Sequence, residues 1–421
     1  MICIKGGKVI DPANGVNKVT NIYIHNGKIV SGNDARGQKM TVIDAKGLLV
    51  VPGLVDMHVH LREPGDEHKE TIETGLKAAA AGGFTSVATM PNTKPVCDTA
   101  AVVDFIRSRA SRACGVNVFP MGAISKGLKG EELAEFADMQ RSGIVGLTDD
   151  GKCVMDSAIM RSAMEYAGNF NLVVCAHAED KRLAEGGCMH EGLMSTRLGL
   201  PGIPAAAESA IVARDLQLCD LTRARYHVQH ISTKEAVELV RQTKKHNVNV
   251  TCEATPHHWS LTDAELAQYD TNFKMNPPLR SEEHVKAIRR GLKDGTIDVI
   301  ATDHAPQAEI DKKVEFDQAS NGIIGLQTAL PLALNLVRDG VLDWSSMVAK
   351  MTINPARILG IPKGTLSVGA DADVTLIDPQ QEWVFDKSVI LSKSDNSPWL
   401  GKKMIGRAVM TLVAGSIIYQ I

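Results

Sequence analysis

Two histidines separated by one residue are the clearest candidates for chemistry in the sequence. Asp56, His58, His60 and Arg62 alternate along a short apolar run, and alternate residues of a β-strand face the same side. The two imidazoles would then lie about 7 Å apart at the end of the strand, near enough to bind one metal ion. Neutral imidazole is a preferred ligand of zinc. An H-x-H pair alone is equally compatible with one buried structural histidine and one surface histidine.

Further histidines and aspartates close other apolar runs. His177, His230, Asp303 and the pair Asp149-Asp150 each stand at the end of such a run. In a closed parallel barrel these ends converge on one face, where the active sites of that fold lie. Two ions about 3.5–4 Å apart with a bridging carboxylate need a ligand set of this size. The predicted ligands are His58, His60, Asp150, His177, His230 and Asp303.

A two-metal centre of this kind favours hydrolysis of an amide-like bond, because it supplies an activated water and polarises a carbonyl. A carboxylate must then carry the proton from the nucleophile to the leaving nitrogen, and Asp303 is the candidate. Arg62 shares the face of the H-x-H pair and offers a bidentate fork for a substrate carboxylate, although an ordinary ion pair would also account for it. Asn92 and Asn276, in proline-containing loops, are either substrate contacts or turn residues.

The elements that must position these residues form a repeated pattern. Eight apolar or alternating runs are separated by helical stretches, as in βα units with a parallel sheet. The runs are 54–60, 84–90, 116–123, 144–149, 172–178, 225–231, 248–254 and 297–303. Apolar residues at intervals of three or four predict helices at 68–81 and 233–246. Eight runs favour a (β/α)8 TIM-like barrel, and the absence of G-x-G-x-x-G after the first run disfavours a dinucleotide-binding fold.

The two ends of the chain differ from its middle. Residues 1–51 and residues 365–421 consist of short β segments, among them the separate runs 372–377 and 382–385, with turn signals at Asn26-Gly27 and Ala414-Gly415. Each end alone is too short for a stable core. We therefore predict that both ends form one small β-sandwich domain and that residues 52–364 form the barrel.

Composition excludes several classes of protein. The 421 residues are 44% hydrophobic and 23% charged, which is typical of a globular chain. The net charge of −3 gives no basic field for nucleic acid or an anionic membrane. No secretory leader and no apolar run of roughly 18 residues is visible. Eight scattered cysteines suit a reducing compartment, so we expect a cytoplasmic protein with a small-molecule substrate, no nucleic-acid partner and no membrane partner.

The motifs together resemble those of dihydroorotases in the amidohydrolase superfamily. Asp56-Met-His-Val-His-Leu-Arg-Glu-Pro64 matches the leading signature of the family, and further motifs follow in family order over nearly the whole chain. They are Met90-Pro-Asn-Thr93, Thr148-Asp-Asp-Gly151, Ala176-His-Ala-Glu179, Thr255-Pro-His-His258, Asn276-Pro-Pro-Leu-Arg280, Ala301-Thr-Asp-His-Ala-Pro306 and Gly322-Ile-Ile-Gly-Leu326. The resemblance implies a zinc-dependent barrel enzyme that reversibly cyclises N-carbamoyl-L-aspartate to L-dihydroorotate in de novo pyrimidine synthesis.

The resemblance also implies a role for each candidate residue. It places His58, His60 and Asp303 on one zinc ion, His177 and His230 on a second, and Asp150 between them. Asp303 would also move the proton. The implied substrate contacts are His60, Arg62, Asn92, Asn276, Gln307 and the backbone at Asn321 and Gly322.

Two positions test the resemblance. Many amidohydrolases bridge the metals with a carboxylated lysine, whereas Asp150 matches the longer dihydroorotase type with aspartate there, and Lys152 is the weaker alternative. Gln307 stands where the family usually has a histidine, and glutamine cannot carry a positive charge toward a carboxylate. This change would weaken substrate binding, alter its pH dependence or mark a different cyclic amide. His257 and His258 are expected to be structural.

Two alternative functions stay open at this point. One is another cyclic amidohydrolase, such as an allantoinase or a dihydropyrimidinase-like enzyme, which normally carries the bridging lysine. The other is a non-catalytic dihydroorotase-like partner of aspartate transcarbamoylase, which typically lacks metal ligands. We also expect a homo-oligomer, with association with aspartate transcarbamoylase left open.

Overall fold

A computed structural model describes residues 1–35 and 37–421. Strands β1 to β18 are, in chain order, Ile2–Asp11, Val16–His25, Lys28–Val30, Thr41–Asp44, Leu49–Pro52, Leu54–Val59, Phe84–Thr89, Asn117–Pro120, Gly146–Thr148, Val173–Ala176, Met189–His190, Gly202–Ile203, Tyr226–Val228, Val250–Ala254, Val299–Ile300, Val374–Phe385, Lys402–Val413 and Ser416–Gln420. Helices α1 to α13 are Ile72–Ala81, Ala100–Ala110, Phe136–Ser142, Ser157–Gly168, Leu193–Leu198, Ala205–Thr222, Lys234–Lys244, Pro256–Ser260, Glu282–Asp294, Glu309–Lys312, Ala329–Arg338, Trp344–Lys350 and Ile353–Leu359. Short 3-10 helices cover Pro12–Asn14, Lys126–Leu128, Asp263–Gln268 and Thr271–Phe273.

The central strands close into a barrel. Each of the eight predicted runs contains a strand, and these strands pair in parallel in two groups, β6-β7-β8 and β15-β14-β13-β10-β9. Parallel bridges from Val59 to His304 and from Gly122 to Leu147 join the edges of the two groups. The prediction of a (β/α)8 barrel is confirmed.

The barrel strands are apolar because they are covered on both faces. All residues of β6, β7 and β10 are buried. One apolar cluster contains Val55, Ala88, Val173 and Val299, which come from four different strands. Polar side chains are concentrated where the strands end, so the packed interior supports a polar face at their carboxyl ends.

The predicted helices are present, with ends set by local capping. Helix α1 begins after Thr71, whose side chain accepts a hydrogen bond from the backbone N–H of Thr74. Helix α7 begins after Thr233, which caps the N–H of Ala236 in the same way. The first prediction therefore began too early by four residues, because a hydroxyl at position 71 satisfies the helix terminus there.

Both ends of the chain join one sheet. Among the described residues its order is β18-β17-β16-β5-β1-β2-β3, with β4 paired to β1, and β16 lies antiparallel to β5. A buried cluster that includes Ile4, Val50, Val374 and Leu412 joins side chains from both ends. The predicted runs 372–377 and 382–385 form the single strand β16, because an irregular register absorbs the residues between them. The exact domain boundaries at 51/52 and 364/365 remain a prediction.

The cysteines are separate from one another. All eight are free thiols, seven of them buried and Cys114 partly so. Within residues 1–35 and 37–421, no helix is both long enough and apolar enough to cross a membrane.

Candidate active site

The six predicted ligands meet at the carboxyl ends of the barrel strands, and all six are buried. They are His58 within β6 and, beyond the ends of strands, His60, Asp150, His177, His230 and Asp303. Their ligand atoms form three overlapping groups, each compact enough to hold a metal ion. The groups are His58 with His230 and Asp303, His58 with His60 and Asp150, and Asp150 with His177 and His230.

The carboxylate of Asp150 lies between the histidines. Its Oδ1 is 3.3 Å from His58 Nε2 and 3.5 Å from His230 Nε2. The same atom is 3.8 Å from His177 Nδ1, and Oδ2 is 3.3 Å from His60 Nε2. One carboxylate therefore approaches nitrogens from both halves of the predicted centre, as a bridging ligand must.

Asp303 completes one half of the centre. Its Oδ1 lies 3.1 Å from His60 Nε2 and 3.5 Å from His58 Nε2. In the other half, His177 Nδ1 and His230 Nε2 are 2.8 Å apart. Burial disfavours the charged form of Asp303, but the charge of His58 and the hydrogen bond from His60 hold its pKa well below the usual range. This carboxylate is therefore available as an anion.

Unpaired polar atoms show that the site fits a cation. His58 Nε2 and Asp150 Oδ1 are buried and lack a hydrogen-bond partner among the described residues. A buried polar atom left without a partner costs about 1–3 kcal/mol. Both atoms belong to the cluster of imidazole nitrogens and carboxylate oxygens, a donor set that suits zinc.

Two residues orient the H-x-H pair. Glu253 in β14 lies with Oε1 2.6 Å from His58 Nδ1, and Asn92 Oδ1 accepts from His60 Nδ1 at 2.9 Å. Each histidine then has its Nδ1 occupied and its Nε2 directed at the cluster, the arrangement in which a partner fixes the tautomer of a metal ligand. Sequence reasoning missed Glu253. The available signal was a single carboxylate within the otherwise largely apolar run 248–254.

Three site residues have unusual backbone conformations. Arg62, His230 and Asp303 have φ values of 60°, 29° and 46°, in the left-handed region that non-glycine residues rarely adopt. Such a conformation costs about 1–3 kcal/mol and persists where the surroundings enforce it, which happens most often at functional sites.

A cavity of about 180 Å³ adjoins the cluster. It brings together every residue predicted to contact the substrate, since its lining includes His60, Arg62, Asn92, Asn276, Gln307, Asn321 and Gly322. Arg62 Nε donates to the carbonyl of Pro306 at 3.1 Å, and within the described residues its two terminal nitrogens have no hydrogen bond. Asn276 Nδ2 lies 3.4 Å from His177 Nε2, and its Oδ1 is buried without a described partner.

Gln307 is tied to its surroundings at both ends of its amide. Its Oε1 accepts from Lys69 Nζ at 2.8 Å, and its Nε2 donates to the carbonyl of Asn321 at 2.7 Å. The glutamine thus connects a lysine to the loop that forms one wall of the cavity. Lys69 was not anticipated from the sequence.

The residues left aside as ligands lie outside the three groups. Lys152 is exposed, and Asp149 accepts two backbone N–H groups at 2.8 and 3.0 Å. His257 and His258 both hydrogen-bond Thr255 Oγ1, at 2.8 and 2.7 Å. Asp149, His257 and His258 therefore each have a structural hydrogen-bond partner.

Comparisons with known proteins agree with the motifs. A family model described as dihydro-orotase-like matches residues 47–236, and an amidohydrolase family model matches residues 227–419. The dihydroorotase of Syntrophus aciditrophicus is 50% identical over 422 residues, which is 100% of this chain and 99% of that protein. The dihydroorotase of Geotalea daltonii is 52% identical over 421 residues, with the same shares.

A solved structure extends the comparison to the fold. The L-hydantoinase (dihydropyrimidinase) of Arthrobacter aurescens matches with a TM-score of 0.89 and 26% identity, over 100% of this chain and 96% of that one. A shared barrel does not by itself select the substrate. The full-length relatives at half identity do decide the family: this chain belongs to the dihydroorotases of the amidohydrolase superfamily.

Proposed function

We propose that this chain catalyses the reversible cyclisation of N-carbamoyl-L-aspartate to L-dihydroorotate, a step of de novo pyrimidine synthesis. The observation that carries the proposal is the Asp150 carboxylate within 3.8 Å of four histidines, beside a cavity lined by Arg62. Five of the residues proposed to hold the metal ions therefore line one pocket together with the arginine proposed to bind a substrate carboxylate. Full-length identity of about half to proteins named dihydroorotase supports the same substrate.

The proposed cofactor is zinc, with two ions in each chain. His58, His60 and Asp303 would hold one ion and His177 and His230 the other, with Asp150 shared between them. Bound zinc would lower the pKa of a water molecule and polarise the ring carbonyl that the water attacks.

Asp303 is the proposed proton carrier. Its low pKa keeps the carboxylate ionised at neutral pH, so it can accept the proton of the attacking water. As the bond between the carbonyl carbon and the ring nitrogen breaks, Asp303 returns that proton to the nitrogen. In the direction of cyclisation it removes a proton from the carbamoyl nitrogen as that nitrogen attacks the carboxyl carbon, and it passes the proton to the departing hydroxide, which leaves as water.

Arg62, Asn92 and Asn276 are the proposed carboxylate and ring contacts. The bond from Arg62 Nε to the Pro306 carbonyl fixes the guanidinium plane, so that its terminal nitrogens can form a fork on a carboxylate. A ring that lacks the carboxylate would leave this half-buried charge unpaired. The pocket should therefore reject dihydrouracil strongly.

The alternatives fit the site less well. Only the fold favours a dihydropyrimidinase-like enzyme. Such enzymes normally carry a bridging lysine, but here Asp150 lies between the histidines and Lys152 is exposed. A non-catalytic partner of aspartate transcarbamoylase would not need six ligands in place.

Homo-oligomerisation, association with that enzyme and a cytoplasmic location remain part of the proposal. Buried thiols that form no disulfide suit a reducing compartment.

The test is ring opening of L-dihydroorotate by the purified zinc-loaded protein, measured beside dihydrouracil and allantoin. The expected result is turnover confined to dihydroorotate, with affinity lost in Arg62→Met. Preference for either other ring would reassign the substrate. Failure with all three would support the non-catalytic reading.

A further inference from the structure

One wall of the cavity is formed by a short loop, residues 320–322, whose backbone is hydrogen-bonded by side chains from outside the loop. Asn321 and Gly322 line the cavity, and three successive carbonyls of this loop accept hydrogen bonds from side chains. The carbonyls of Ser320 and Gly322 accept from Lys312 Nζ at 2.9 and 3.2 Å, and the carbonyl of Asn321 accepts from Gln307. Asn396 Nδ2 also donates to the carbonyl of Gly322, at 2.9 Å, so three side chains set the path of the loop, and Lys312 is the only one of them that carries a charge.

Lys312 is one of three buried lysines among the described residues, with Lys274 and Lys350. It ends helix α10, is 5% exposed, and also lies 3.4 Å from the carbonyl of Lys274. None of the ion pairs among the described residues includes it. A buried ammonium without a carboxylate is costly unless each of its three N–H groups has an acceptor, and here three carbonyls face it.

No side chain at position 322 can support the loop. Gly322 has φ +150°, and a Cβ there would lie 2.4 Å from the carbonyl oxygen of Ala305. The backbone thus packs directly against the segment that follows Asp303. The N–H of Gly322 donates to the Lys274 carbonyl at 3.0 Å, which links the loop to the same carbonyl that faces Lys312.

We propose that Lys312 is a positioning residue for substrate binding: its ammonium fixes the loop 320–322 where the loop backbone meets the substrate. The inference rests on the proposed function, because it takes L-dihydroorotate as the molecule in the cavity. Lys312 does not touch the metal ligands, so its contribution belongs to binding and not to the chemical step.

The surroundings of Lys312 add a dependence on pH. Burial and the positive charge of Lys274 lower the pKa of Lys312 to about 7, while Asp270 and Asp311 act in the opposite direction. A neutral amine keeps only two N–H groups for the three carbonyls. The loop should therefore lose support as the pH rises through 7, and the KM for dihydroorotate should rise with it.

The test compares the zinc-loaded full-length protein with its Lys312→Met variant in steady-state ring opening. Loss of a charged hydrogen-bond donor should raise KM about tenfold while kcat stays within about twofold. Metal content should not change. Above pH 7 the KM of the wild type should rise toward that of the variant, whose own KM should follow pH less steeply.

Lys350→Met is the matched control. Lys350 is also buried, and its Nζ donates to the carbonyl of Ile297, but it does not line the cavity. Its KM should equal that of the wild type. If Lys312→Met does not fold, Lys312→Gln provides the same comparison.

An unchanged KM, or a fall in kcat that matches a loss of metal, would overturn the inference. Absence of dihydroorotate turnover in the wild type would instead overturn the proposed function.

Discussion

Glu253 Oε1 lies 2.6 Å from His58 Nδ1, and both side chains are fully buried. Its other oxygen lies 3.2 Å from His227 Nε2. Burial opposes ionisation, but these histidines lower the pKa of Glu253 to about 2, so the carboxylate is charged at neutral pH. The carboxylate accepts a hydrogen bond from the Nδ1–H of His58. The Nε2 atom of His58 is then free to face Asp150 Oδ1, which lies 3.3 Å away.

Glu253→Gln should therefore weaken metal binding without removing a ligand. An amide is a poorer acceptor for the imidazole, and loss of such a partner typically costs about 10–100-fold in metal affinity. Competition with a chelator measures the change. Asp215→Asn is the control, because that fully buried carboxylate pairs with Arg214 at 2.7 Å and belongs to none of the three groups. Equal metal affinity in the two variants would refute the role of Glu253.

His60→Ala should abolish turnover and lower the amount of bound metal. The substitution removes Nε2, which lies 3.1 Å from Asp303 Oδ1 and 3.3 Å from Asp150 Oδ2. Metal analysis and activity on the same sample check both effects. Full activity with unchanged metal content would show that His60 is not a ligand.

Asp303 is also a proposed metal ligand, so Asp303→Asn tests proton transfer only in protein that is saturated with zinc and whose metal content matches that of the wild type. The amide keeps the shape of the side chain but cannot accept a proton, so kcat should fall about 100- to 10,000-fold. KM should change much less, because Arg62, Asn92 and Asn276 are intact. A variant with near-normal kcat would assign the proton transfer to another group.

Two substitutions at Gln307 test how it supports the loop. Gln307→Leu removes the bond to the Asn321 carbonyl and should raise KM for dihydroorotate about tenfold. Gln307→His should leave the affinity unchanged or tighten it, because a ring nitrogen can still donate to that carbonyl. A clear loss of affinity in the histidine variant would mean that the bond from Lys69 to the amide oxygen is required as well.

The barrel could be predicted from the sequence because its strands are buried on both faces and appear as apolar runs. The residues that end those runs were also visible, since a histidine or aspartate after an apolar strand is conspicuous. Helix starts were less accurate, because α1 begins where the Thr71 hydroxyl caps it and not where the apolar spacing begins. The strand β16 was divided in two because its middle is polar.

Supporting residues could not be predicted in the same way. Glu253 is 195 residues from His58 in sequence, so only the closed barrel brings them together. Lys312 belongs to the short polar helix Glu309–Lys312, where a lysine is ordinarily exposed. Its burial depends on the loop 320–322 and on Lys274, which neither spacing nor composition reveals.

The most direct test of the central claim is a zinc titration of the metal-free protein, with L-dihydroorotate ring opening measured at each step. The expected result is no activity without metal and maximal activity at two equivalents per chain, because the six proposed ligands consist of a shared Asp150 and five others divided between two ions. Full activity in the metal-free protein would contradict the account, and a maximum at one equivalent would contradict the two-ion centre.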